Sequence, residues 1–363
     1  MRVLSLAVLF TLTGLLPAHA QSSPARALPS SSDNVAELAA VTVSGAQPGP
    51  RLWKVSRGNH VLWVLGTQSP LPRDMQWQSS EVAEVISQSQ QVLLSPSIKV
   101  KADVSFFGKL FLLPLAYSAR KNANGETLQQ VVGAPSYARW LMLKQKYIGR
   151  DGGIERWRPI FAGQELYKKA LKANGLSKSG QVEDTVKALA KQHGVETTPV
   201  RYQVAIEHPR QAIKTFKKSS MDEAGCFSRT LDSIEQDMPA IKARANAWAR
   251  GDLQTLRQLP DSHRQKTCVS AVTSADFAHQ LGFDDVPQKL EEAWLIAARS
   301  ALQHNAQSLA LLPIDQLLSP SGYLTRLAAQ GYRVESPQEQ DAEPSSTGGD
   351  DSHPAIPATV GVP

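Results

Sequence analysis

Apolar and polar positions alternate along residues 52–67, and the alternation breaks once, at Gly58-Asn59. The pattern predicts a strand, a tight turn in which Asn59 favours left-handed geometry, and a second strand that stops at Gly66-Thr67. Val61, Trp63 and Leu65 fall on one face of the second strand, Leu62 and Val64 on the other. Apolar residues on both faces describe a strand covered on both sides, as in an α/β sheet. Such a strand delivers the residues that follow it to the carboxyl edge of the sheet, where α/β proteins usually place their chemistry. Here those residues are Gln68 and Ser69, neither a strong general base nor a common metal ligand.

The period then lengthens. Residues 80–90 read as a helix, with Ser79 or Ser80 as N-cap and Glu81 in its first turn, leading into a short strand at 91–94 that ends at Ser95-Pro96. Helices are expected at 137–147, 161–173 and 182–193, the last closed by Gly194 in the C′ position. Residues 195–206 alternate through Val200, Tyr202, Val204 and Ile206 and read as one strand, after which Pro209 opens a helix at 211–217. Residues 222–305 form a helical block: a long helix at 228–250 ended by Gly251, a short one at 252–259 stopped by Pro260, and a third that Asp285 caps, with Pro287 in its first turn. A strand at 308–312 (Ser-Leu-Ala-Leu-Leu) then ends at Pro313-Ile314-Asp315, and a helix at 322–329 leads to a last strand at 332–335. The expected fold is mixed α/β (α+β). It has a central sheet flanked by helices, and a helical block of about residues 133–305 lies between the two sheet-forming parts.

The ends differ from this middle. Met1-Arg2, the apolar run 3–16 and Ala18-His19-Ala20 have the form of an export signal over 1–20, cleaved near Ala20-Gln21. That run is too short to span a bilayer, and no later apolar run reaches the roughly 18 residues a spanning helix needs. Residues 21–48, rich in Ser, Pro and Ala, are expected to be flexible. Residues 338–363 hold five acids and no Lys or Arg and are expected to be disordered, which leaves one domain at 49–337. The expected location is the bacterial periplasm, with secretion as the alternative.

Charge and cysteine sharpen this picture. The chain carries +6, but residues 21–337 carry +10. That balance favours anionic partners such as lipid headgroups or acidic polysaccharide, and it equally describes a generally basic solvated surface. Nucleic acid is not expected outside the cytoplasm. In an oxidising compartment Cys226 and Cys268 read as a disulfide worth roughly 4 kcal/mol in the chain-entropy account. Two free thiols are the alternative, although neither lies in C-x-x-C.

The segments L-W-K-V and L-W-V-L-G-T, the Leu-Pro that follows, the next helix and strand, and the terminal G-Y-L-T-R-L-A-A-Q-G-Y-R-V-E resemble the TraB/GumN family. That family is related to the Tiki metalloproteases and to the erythromycin-esterase/ChaN-like fold. The resemblance spans 49–337, and in its middle is to the periplasmic GumN-like branch. It implies an α/β core and a site built from G-x-x-H after the first long strand, an acid after the next helix-strand unit, and a second G-x-x-H after the penultimate strand. In this chain the first motif reads Gly66-Thr67-Gln68-Ser69, the acid position is Ser95, and the second reads Leu312-Pro313-Ile314-Asp315. The polar positions of a metal centre are therefore changed at Ser69, Ser95 and Asp315.

Other chemistry is thin. The seven His residues after position 20 form no H-x-H, H-x-x-H or H-E-x-x-H. Asp315 is the one acid at a predicted strand end and reads as the N-cap of a short helix. Ser69-Pro70 and Ser95-Pro96 read as turns. An S-x-x-K at Ser118 and an S-D-N at Ser32 stand in reversed order with no K-T-G after them, so they read as chance. Arg156-Trp157-Arg158 is a candidate for holding an anionic sugar between two guanidinium groups and an indole, against the plainer reading of an amphipathic junction with Trp157 buried.

These readings converge on an exported, non-catalytic binding or accessory protein of the envelope, with no cofactor expected. Its expected partner is an anionic polysaccharide or another envelope protein. One alternative is a divergent metal-dependent hydrolase using Asp315 with Mn, Co or Zn. A third possibility is an envelope factor whose basic surface docks to an anionic membrane.

Overall fold

The structure is a computed structural model that describes residues 47–102, 104–178, 180–259, 263–283 and 285–342. The expected export signal, nearly all of the Ser/Pro/Ala-rich leader and the tail after 342 lie outside the described residues. The strands are β1 (Leu52–Arg57), β2 (His60–Thr67), β3 (Leu71–Pro72), β4 (Gln91–Leu93), β5 (Ser97–Ala102), β6 (Leu176–Ser177), β7 (Glu196–Thr198), β8 (Arg201–Ile206), β9 (Gln307–Pro313) and β10 (Arg333–Glu335). Six of them form the main sheet in the order β10-β1-β2-β9-β4-β7. The hairpin β1–β2 and the edge strand β10 pair antiparallel, whereas β2, β9, β4 and β7 run parallel. The mixed α/β fold expected from the sequence is the fold observed.

The hairpin follows its apolar pattern. In the turn at Gly58-Asn59 the left-handed position is taken by Gly58, at φ 58°, which a side chain would strain, and not by Asn59 as expected. Leu62, Val64 and Leu65 are buried, and with Val92, Leu93 and Leu309–Leu312 they form the sheet's share of the main core. The helices Ser80–Ser87, Gln181–Gln192, Met238–Ala249, Val286–His304 and Tyr323–Ala329 supply the rest through Ile86, Val186, Trp248, Trp294 and Leu327. A second core lies within the helical block, where Trp140 and Phe227 meet at 5.6 Å between ring centroids.

Three expectations are corrected. The single strand at 195–206 is two strands in different sheets. Pro199 separates them and has no N–H to continue a ladder, so β7 stays with β4 while β8 pairs with β5. The long helix at 228–250 is likewise two, Glu223–Glu235 and Met238–Ala249, with Pro239 in the first turn of the second. The segment expected to be disordered from 338 begins with a helix, Pro337–Ala342, from which Gln340 donates to the carbonyl of Leu52.

Cys226 and Cys268 form a disulfide that joins helix Glu223–Glu235 to helix His263–Thr273 across 42 residues of chain, with Cα atoms 4.7 Å apart. Closing that loop restricts the unfolded chain. Replacing both cysteines by serine is expected to lower unfolding stability by about 2–4 kcal/mol in urea denaturation. An unchanged midpoint would mean that the bridge constrains nothing.

Candidate functional site

Parallel pairing sets the site. Thr67 of β2 stands opposite Pro313 of β9, and Leu93 of β4 opposite Ala310, so three strands end on one edge of the sheet. At that edge Gly66 has no side chain because the space is filled. A Cβ there would lie 2.5 Å from Ile314 Cδ1 and 3.0 Å from Leu317 Cδ1, in the short helix Ile314–Leu318 that follows β9. The carbonyl of Gly66 accepts a 2.8 Å hydrogen bond from the Trp248 indole, which is fully buried. One turn earlier on the same helix, Arg244 faces the edge.

A cavity of about 630 Å³ opens there. Gln68, Ser69 and Asp315 line it from the strand ends, and the helical block contributes Arg229, Arg244, Arg264 and Tyr167, with Lys178 from the segment after β6. Ser95 lies just beyond β4 and does not line the cavity. Asp315 is not the expected N-cap. Pro313 holds that position, and Asp315 sits in the first turn, where its carboxylate accepts from Arg244 Nη2. Arg244 is buried and also donates to the Leu256 carbonyl at 3.0 Å. The one carboxylate at the strand ends is thus bound by a guanidinium.

Other polar groups at the cavity are less satisfied. Gln68 Oε1 is buried without a hydrogen-bond partner, as is Arg229 Nε, although Arg229 Nη2 reaches Asp237 at 2.6 Å. Arg264 is buried, and its Cζ stands 4.0 Å from the Tyr167 ring centroid. Lys178 is exposed as a residue, but its ammonium lies 4.9 Å from the same ring. Lost hydration, then the charge of Arg264, push that ammonium down to about 8. Burial likewise lowers the Arg264 guanidinium from its ordinary value, and the Tyr167 phenol is raised by burial against the opposing pull of Arg264. Among the described residues neither Lys178 nor Arg264 forms an ion pair with a carboxylate. Among the described residues, the cavity therefore has two cations paired with carboxylates, Arg229 and Arg244, and two that are not.

Arg156, Trp157 and Arg158 do not make the sugar-binding surface considered above. Arg158 is buried, donating to Glu223 Oε1 at 2.7 Å and to the carbonyls of Phe216 and Ser219 at 2.8 and 3.2 Å. Trp157 is half-buried under Arg120, whose Cζ is 4.7 Å from its ring, and Arg156 is exposed. Arg158 ties parts of the helical block together, and burial raises the Glu223 carboxyl against the pull of Arg158.

The sequence reading missed Lys178, Arg229, Arg244 and Arg264, which come from separate helices and a loop. Only Arg244 carried a legible signal, a cation one turn before Trp248 on a face that also holds Ala240, Ile241 and Ala247.

The divalent metal implied by the resemblance does not fit this donor set. Gln68, Ser69, Ser95 and Asp315 offer one carboxylate, already held by a guanidinium whose charge opposes a second cation. Among the described residues no three His, Cys, Asp or Glu side chains converge.

The sequence profile of the TraB/PrgY/gumN family matches residues 51–336. No curated protein and no solved structure matches the chain.

Arg244→Met is expected to cost about 1–3 kcal/mol, since it removes a charged donor from Asp315 and from the Leu256 carbonyl. Thermal or urea unfolding would measure it, and a neutral result would show that the ion pair does not hold the cleft together.

Proposed function

Because this chain belongs to the TraB/PrgY/gumN family, we propose that it keeps the family's fold while acting as a non-catalytic, exported binding protein of the envelope. The ligand occupies the cleft at the carboxyl edge of the sheet and is anionic. The observation that carries this reading is the pair of cations around Tyr167, Arg264 at 4.0 Å and Lys178 at 4.9 Å from its ring, which have no carboxylate partner among the described residues. Beside them Gln68 Oε1 lacks a hydrogen-bond partner. Burying a guanidinium without a carboxylate counter-charge is costly unless something compensates it. An acidic sugar brings the missing negative charge and hydroxyls that donate to Gln68. The cavity volume suits a small ligand or one or two residues of an acidic polysaccharide.

The Arg244–Asp315 pair supports the non-catalytic part of the reading, because it removes the one strand-end carboxylate from metal or proton work. The second reading, a divergent metal-dependent hydrolase, is favoured by one fact: Asp315 does line the cleft, beside the strand-end residues Gln68 and Ser69. Metal analysis of the purified protein separates the two. Only trace Mn, Co or Zn is expected, and stoichiometric metal that disappears in Asp315→Ala would establish the hydrolase instead.

Oligogalacturonate is a suitable binding probe. Its affinity is expected to fall as pH rises through about 8, because Lys178 loses its proton there and with it one of the two free charges. Arg264→Gln is expected to weaken binding by about tenfold to a hundredfold. Calorimetry showing affinity independent of both pH and Arg264 would overturn the anionic-ligand assignment.

A further inference from the structure

The helix Phe106–Ser118 turns a row of large apolar side chains away from the protein. Phe107, Leu110, Phe111, Leu113 and Tyr117 are between 55% and 73% exposed. Phe107, Leu110, Phe111, Pro114 and Tyr117 follow the three-and-four spacing of one helical face. On its other side, Leu112, Ala116 and Ala119 look toward Ala212, Ile213 and Phe216 of helix Pro209–Lys218, which holds the element to the body. Scattered exposed apolar residues are ordinary, but a contiguous stripe of this kind marks an interaction surface.

Charge indicates what covers it. Residues 104–121 and 209–218 contain no Asp or Glu. Arg120 and Lys121 stand 5.9 and 5.8 Å from the Tyr117 ring, and Lys217 donates to Ser118 Oγ at 3.2 Å. Lys214, Lys217 and Lys218 are exposed on the supporting helix. An apolar helical stripe bordered by cations, with aromatic side chains at both ends, matches the headgroup–acyl boundary of an anionic bilayer. The helix has 13 residues, and among the described residues no helix is long and apolar enough to cross a membrane.

We propose that this helix docks the protein onto an anionic lipid surface, lying in the plane of the interface. The inference is independent of the cleft and of its ligand. Phe107, Leu110 and Phe111 enter the acyl boundary, while Lys121, Lys214, Lys217 and Lys218 meet the phosphates.

Sedimentation of the full chain with phosphatidylglycerol/phosphatidylethanolamine vesicles tests it, with phosphatidylcholine vesicles as the comparison. Binding to the anionic vesicles is expected, weakened by salt. The double substitution Leu110→Ser with Phe111→Ser is expected to weaken it by about a hundredfold. Both side chains are exposed, so its melting temperature should match the parent, which separates lost docking from lost folding. Lys217→Glu with Lys218→Glu is expected to weaken binding to anionic vesicles and leave phosphatidylcholine unaffected. The proposal is overturned by equal binding of the parent and the Leu110/Phe111 variant, or by no binding to either vesicle. Light scattering that shows a dimer abolished by the Leu110 and Phe111 substitutions, without vesicle binding, would assign the face to a second copy of the chain instead.

Discussion

The parallel pairing of β2 with β9 is the constraint on which the rest of this protein depends. Two strands far apart in sequence can run parallel only if the chain between them returns to the starting end of the sheet. The helical block is that return path. Parallel pairing then places the residues after Thr67 and after Pro313 on the same edge. Gly66 makes the junction possible, because Ile314 and Leu317 occupy the space a side chain would need. Its carbonyl is satisfied by Trp248, so a helix of the inserted block is pinned to the end of a core strand. One turn back, Arg244 is carried onto Asp315.

The electrostatics of the cleft follow from that arrangement. Arg244 and Arg229 face carboxylates, whereas Arg264 and Lys178 face the π-surface of Tyr167. A ring quadrupole offsets only part of what a cation loses on leaving water. Lost hydration lowers the Lys178 ammonium in the same sense. Much of the basic excess of residues 21–337 therefore has a place, part of it in the cleft and part bordering the exposed helix Phe106–Ser118.

The hairpin, the helix-strand unit at its end and the terminal strand-helix-strand were legible because their apolar periods are clean and local. Errors arose where a proline interrupted an otherwise continuous pattern. Pro199 divides one alternating run between two sheets, and Pro239 divides one helical run in two. The helix at 106–118 was not read from the sequence, since apolar residues fall on both its faces and only one of them is covered.

By itself the sequence determined the class of fold and the placement of Gln68, Ser69 and Asp315 at the ends of two strands. Each of these rests on short-range pattern: alternation, turn residues and motif spacing. Only the tertiary structure decided that Asp315 is bound by Arg244, that Arg158 is buried on Glu223, and that Lys178 and Arg264 meet at Tyr167. Those are contacts between elements far apart along the chain. Nothing in local periodicity records which cation will face which carboxylate once the helical block has folded back over the sheet.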